Sequence, residues 1–126
     1  MIYELFFDED RKCFEIKASG KASVEGFLAL DTELVEHHKW KPGTNVLYDL
    51  RDSDFRDLSR LDVERRARYT QSLGEKIGKA RLACVMNQNL DYGIARMWEI
   101  ITMMGDVPFE IRVFRSIAEA VEWLHS

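Results

Sequence analysis

The sequence predicts an α/β fold: a mostly parallel, mixed sheet of about five strands with four helices, in the order ββαβαβαβα. Three observations predict it. The apolar residues switch between a period of two and a period of about 3.6 along nearly the whole chain. The strand-like runs in the middle are almost continuously apolar, as strands covered on both faces require. Gly, Pro or a capping residue marks most of the changes of period.

The segments from Ile2 to Phe7 and from Cys13 to Ala18 are rich in aromatic and β-branched residues. Asp8 to Arg11 lies between them as the turn of an antiparallel hairpin, and Ser19-Gly20 closes the second strand. From Ser23, a candidate N-cap, the residues Val24, Phe27, Leu28, Leu34 and Val35 mark an amphipathic helix. It must end before Lys41-Pro42-Gly43, since proline inside a helix removes a hydrogen bond and clashes with the preceding turn. Val46 to Leu50 reads as a buried strand, followed by an acidic loop from Arg51 to Asp57.

Ser59 opens a second helix, with Asp62 three residues on as a weak capping box. Its buried stripe is Val63, Ala67, Thr70, Gly74 and Ile77, small enough for close approach to the sheet. Arg81 to Met86 is the next buried strand. Asn87 or Asn89 is the candidate cap of the third helix, which carries Leu90, Ile94, Met97, Trp98, Ile101 and Met104 on one face, with Gly105 as its terminating residue. Phe109 to Phe114 alternates as a strand near an edge does, and Ser116 with Glu119 forms a capping-box sequence for a last helix faced by Ala120, Val121 and Leu124. Alternating βα units imply parallel strands joined by right-handed crossovers, with the first strand antiparallel.

At 126 residues, 46% of them hydrophobic, the chain is expected to form one domain spanning 1–126 with a core of its own. No apolar run approaches the roughly 18 residues of a membrane span. The start, Met1 to Phe7, has no basic flank or cleavage site, so export is not expected and a cytoplasmic location is. Cys13 and Cys84 each sit in an apolar run far from the other and read as reduced core thiols.

The net charge of −4 disfavours nucleic acid, but it is unevenly spread. Residues 59–81 hold 7 basic and 3 acidic side chains, a basic island on an acidic chain. Arg65, Arg68 and Lys76 point away from the buried stripe of the second helix, with Arg60 and Arg66 flanking it. Such a face could attract an anionic lipid surface or an acidic partner. It could equally be a solvated face laced with pairs such as Asp62–Arg66, Glu64–Arg68 and Glu75–Lys79.

Asp49, Asp52, Asp54 and Asp57 crowd the C-terminal end of a parallel strand, where open α/β sheets tend to place ligands. Clustered carboxylates suit Mg²⁺, but Arg51 and Arg56 sit among them and neutralise them, so no metal is expected. His37 and His38 are adjacent, hence about 100° apart on a helix, and cannot share a metal. No nucleophile elbow, phosphate-cradling glycine loop or Cys-x-x-Cys occurs, so neither catalytic residues nor a cofactor are expected. The third helix carries a surplus of apolar residues: with Ile100 included, its face spans an arc of about 160°, with Tyr92 and Met103 beyond it. Soft methionines suit varied apolar partners.

The strand Val46 to Arg51, the strand Arg81 to Met86, and the closing Val113-Phe114-Arg115-Ser116 with Ala118, Ala120 and Trp123-Leu124 resemble the SpoIIAA-like family, the STAS/SEC14-type domains of bacteria, over nearly the whole chain. That resemblance implies the fold just read from the pattern. It also implies either of two non-enzymatic roles. Anti-sigma-factor antagonists of the wider family are switched by phosphorylation of a serine in an Asp-Ser-Ser-Gly motif. Ser59 in Asp57-Leu58-Ser59-Arg60 falls at that position, with one serine and the glycine missing. The STAS/SEC14 branch implies binding of a nonpolar small molecule and loose membrane association.

The favoured reading is a binding domain for a small apolar or lipid-like ligand between the third helix and the sheet, with peripheral membrane contact through the basic face. Tyr92, Met97, Trp98, Ile101, Met103 and Met104 are the pocket or lid candidates. The alternative is a regulatory module that binds a protein partner, with a degenerate switch at Ser59. A homodimer through the third helix is a further outcome of its apolar surplus.

Overall fold

The computed structural model describes all of residues 1–126. Strand β1 (Ile2–Asp8) turns back into β2 (Cys13–Lys21) in antiparallel register, Asp8 opposite Cys13 and Ile2 opposite Ser19. The turn is built by Asp8, whose carboxylate accepts from the backbone N–H groups of Asp10 and Arg11, and by Lys12 in the left-handed region at φ 56°. Then follow α1 (Val24–Glu36), β3 (Asn45–Asp54), α2 (Arg60–Ser72), a single turn α3 (Gly74–Ile77), β4 (Arg81–Val85), α4 (Asn89–Met103), β5 (Glu110–Phe114) and α5 (Ile117–Leu124). The strands lie in chain order across one sheet; only the β1–β2 pair is antiparallel, and β5 is an edge as its alternation predicts.

The side-chain alternation of the strands divides the interior in two. Phe14 and Ile16 of β2, Val46, Tyr48 and Leu50 of β3, and Leu82 and Cys84 of β4 face one way, into a core shared with α1, α2 and α4. Leu47, Ala83 and Val85 face the other way and are covered by Ala120 and Leu124 of α5. Helices α1, α2, α3 and α4 thus share one face, and α5 alone covers part of the other. No helix is long and apolar enough to cross a membrane.

The structure departs from the sequence reading at several places, each for a local reason. There are five helices, not four, because the second one breaks at Leu73 (ψ 8°) and Gly74 before a last turn, α3. Strand β3 runs four residues further than Leu50, through the acidic segment, because β2 continues alongside it and pairs Ser19 with Asp52 and Lys21 with Asp54 past a bulge. Helix α4 is capped by neither Asn87 nor Asn89; Gln88 is the N-cap and supplies no side-chain bond. The two asparagines bond elsewhere, Asn87 donating to the carbonyl of Arg51 and Asn89 accepting from Arg115.

At the other end of α4, Gly105 is not in the left-handed region. It instead leaves space for Gln71, whose Nε2 would lie 2.7 Å from a Cβ there. Gln71 fills that space and donates to the carbonyls of Ile101 and Thr102, so α2 caps the end of α4. His37 and His38 lie just beyond α1, where their rings stack at 4.5 Å rather than diverge as they would on a helix. Both cysteines are free and buried.

Candidate functional site

Helix α2 leans between α1 and α4, and its buried stripe at i, i+3, i+4 and i+7 is Val63, Arg66, Ala67 and Thr70. Arg66 is therefore not part of the basic surface as the sequence suggests: it is 5% exposed. Its guanidinium lies between the rings of Phe27 and Trp98, 4.0 Å from each centroid. Nε and Nη2 donate to the two carboxylate oxygens of Asp31 at 3.1 and 3.2 Å. Asp31, 4% exposed, projects from the buried face of α1 and also accepts from the Tyr48 hydroxyl at 3.0 Å. Thr70 accepts from the Trp98 indole and donates to the carbonyl of Arg66. A buried ion pair survives in an apolar interior only when both charges are hydrogen-bonded. Here the planar fork, the two ring faces and the tyrosine meet that condition together.

Burial opposes the positive charge of Arg66, but Asp31 and Tyr48 beside it prevail, and its pKa is raised. Burial, reinforced by Asp31, holds the Tyr48 phenol well above its ordinary value. Cys84, under the same cluster, is pushed up to about 12 chiefly by burial. Arg66, Tyr48 and Cys84 all shift toward keeping their protons, and the hydrogen bonds of the cluster fix the side chains in place.

Beside Arg66 lies an apolar cleft roofed by α2 and α4, with Val63 and Arg66 on one wall, Ile94 and Trp98 on the other, and Phe27 and Leu50 beneath. Ten of its twelve lining residues are hydrophobic, so it disfavours a charged occupant. Its internal space is about 20 Å³, which is room for about one water. Nη1 of Arg66 makes no hydrogen bond within the protein.

Of the residues expected to form a pocket or lid, only Trp98 lines this cleft. Tyr92, Met97 and Ile101 are half-buried against the core, and Arg115 covers the Tyr92 ring at 4.2 Å. Met103 and Met104 are exposed.

The basic face keeps Arg60, Arg65, Arg68 and Lys76, all exposed. Arg60 pairs with Glu64 and Arg65 reaches Glu25, while Arg68 and Lys76 make no ion pair. The pairs Asp62–Arg66, Glu64–Arg68 and Glu75–Lys79 do not form. Asp62 is instead engaged with Ser59, whose Oγ accepts from the Asp62 N–H while the Asp62 carboxylate accepts from the Ser59 N–H, a complete capping box.

Three of the four carboxylates of the acidic segment, all but Asp52, are paired with a cation. Asp49 holds Arg51 at 2.9 and 3.0 Å, Asp54 holds Arg56, and Asp57 meets Lys21 at 3.2 Å. Arg56 draws Asp54 down to about 2 through these bonds. Partial burial works against the charge on Asp49, but its bonds from Arg51 keep it below the usual carboxylate range. No three His, Cys, Asp or Glu side chains converge as a metal would need.

The Asp31–Arg66–Tyr48 network escaped the sequence reading. One signal was available. Asp31 and Arg66 are opposite charges lodged on the apolar stripes of two helices, the arrangement expected when such residues are buried against each other.

No protein-family model matches the chain, and no curated protein matches it significantly. Among solved structures, it is similar to the crystal structure of an uncharacterised DUF3478-family protein with a SpoIIAA-like fold from Shewanella loihica PV-4. The likeness extends over 98% of this chain and 92% of that one, with a TM-score of 0.61 and 20% identity. The fold is SpoIIAA-like, of the STAS type.

Proposed function

We propose that the domain is a non-enzymatic binding module that takes a small apolar or lipid-like ligand into the cleft between α2 and α4. The observation that carries this is the cleft itself, apolar on nearly every side and lying beneath the helix with the apolar surplus. Its closed volume holds no such ligand, so entry requires α2 and α4 to part. Apart from apolar packing, the ties between them are the Gln71 bonds, the contact of Trp98 with Thr70 and the Arg66 guanidinium over the Trp98 ring. Arg66 Nη1 offers a donor to a ligand with one carbonyl or hydroxyl, and Arg65, Arg68 and Lys76 favour delivery near anionic surfaces. Native mass spectrometry of the purified chain, followed by titration with a fluorescent fatty acid, tests the reading. Binding should weaken in Val63→Ile, which adds one methylene to the cleft wall. A clean apo mass together with no probe binding refutes it.

A regulatory, protein-binding role is the second reading, favoured by one observation: Ser59 is exposed and caps α2 beside the cleft. A phosphate there would face a helix N-terminus that welcomes negative charge. Pull-downs with wild type and Ser59→Asp would reveal a partner whose capture depends on this position; identical capture by both removes the switch.

A further inference from the structure

Helix α4 carries a second apolar stripe, on its outer side. Leu90, Gly93, Met97, Ile100 and Met104 recur at spacings of three and four residues and stay within about 80° of arc. Leu90, Ile100 and Met104 are 53, 50 and 81% exposed. This stripe is distinct from the buried face, which is Asp91, Ala95, Trp98 and Thr102. Spacing of this kind is the seam of a helix that packs against another helix.

Gly93 makes the stripe more than a set of exposed side chains. Glycine is the poorest interior helix former after proline. Gly93 is not in the left-handed region, and a Cβ built there meets nothing within 4 Å. Nothing inside the monomer requires a glycine at this place. Close approach of another chain would.

We propose that the outer stripe of α4 is the interface of a two-fold symmetric homodimer, with the two α4 helices antiparallel and crossing at Met97. The stripe is complementary to itself in that arrangement. Reversing the order of its residues sets Leu90 opposite Met104 of the second copy and Met97 opposite Met97. It sets Gly93 opposite Ile100, a gap facing a branched side chain, twice by symmetry. Arg96, exposed and held at 2.7 Å by Glu99, flanks the stripe and leaves the seam itself uncharged. A seam of one helix is smaller than the roughly 800 Å² per partner of a standard stable interface, so the dimer dissociates on dilution.

Sedimentation velocity on the full chain, from micromolar to high-micromolar concentration, tests the proposal. The mass should rise from monomer to dimer. Ile100→Glu and Met104→Glu, both at exposed positions, should stay monomeric with unchanged circular dichroism. Gly93→Leu should fill the gap and weaken association at least about tenfold without unfolding the chain. Met97→Cys should oxidise to a disulfide-linked dimer much faster than Glu122→Cys on the exposed face of α5. A wild-type monomer at every concentration overturns the proposal, as does a dimer indifferent to Ile100→Glu. If that monomer floats with phosphatidylglycerol vesicles and Ile100→Glu does not, the stripe belongs to a lipid surface instead. The apolar-cleft reading is independent of these outcomes, since its ligand enters on the opposite side of α4.

Discussion

Arg66 and Asp31, 35 residues apart in sequence, form a two-bonded ion pair inside the apolar layer between α1, α2 and α4. Its consequence for stability is asymmetric. Removing one partner leaves the other charged and dry, whereas replacing both with apolar groups of similar volume removes the desolvation cost as well. Asp31→Ala should therefore lower unfolding free energy by about 3–5 kcal/mol. Arg66→Met should be comparably damaging, and Asp31→Leu combined with Arg66→Met should recover much of the loss. Urea denaturation of the three variants measures this, and strict additivity of the single effects would contradict it.

The thiols give a prediction with a definite pH sign. Burial raises Cys13 to about 11 and Cys84 to about 12, against about 8.5 in an unfolded chain. The native state therefore holds protons that the unfolded state releases. Stability from this source is intact below about 8.5 and falls as pH rises through the native values. At pH 8, Ellman's reagent should find no reactive thiol in the native protein and two after unfolding. Rapid native reaction of either cysteine would show that its packing opens readily.

What could be read from sequence and what could not divide along a physical line. The strands, their order and the buried faces of α1, α2 and α5 follow from periodicity, because burial of alternating or 3.6-spaced residues is local information. Helix α4 is the exception: its most apolar face is not the one it buries, since Asp91, Ala95, Trp98 and Thr102 turn inward while Leu90 and Met104 are exposed. Where β3 ends depended on β2 continuing beside it, which is not local. Gln71 capping the end of α4 joins residues 30 and 31 positions apart, and Gly105 signals it only by being small. Residue type places Arg66 on the surface, but its spacing places it inside, and spacing prevails. At i+3 from Val63 and i−4 from Thr70 it had to be buried, and Asp31 on α1 makes that possible.

Ser59 separates a structural from a regulatory role. Its Oγ satisfies the Asp62 N–H, which water would otherwise have to meet, so Ser59→Ala should cost about 1 kcal/mol. Aspartate is as good a cap, and Ser59→Asp should leave the thermal midpoint nearly unchanged. A large destabilisation by aspartate would show that crowding from Asp57 and Asp62, not capping, governs this position.

Two glycines should respond to the same substitution with opposite sign. Gly78 has φ +69°, and a Cβ there would come within 2.9 Å of the Gly43 nitrogen and the Pro42 ring. Neither neighbour can yield easily, because the Gly43 N–H is engaged with the Ile77 carbonyl at 2.8 Å and the ring is rigid. Gly78→Ala should cost about 2 kcal/mol or more, from left-handed strain and displacement of the loop before β3. Gly93 has open space and ordinary helical backbone, so Gly93→Ala should stabilise the monomer by about 0.5–1 kcal/mol. Urea denaturation at low micromolar concentration, where self-association is negligible, reads both. If Gly93→Ala instead destabilised the monomer, the glycine would serve the fold of the chain itself and not a second copy.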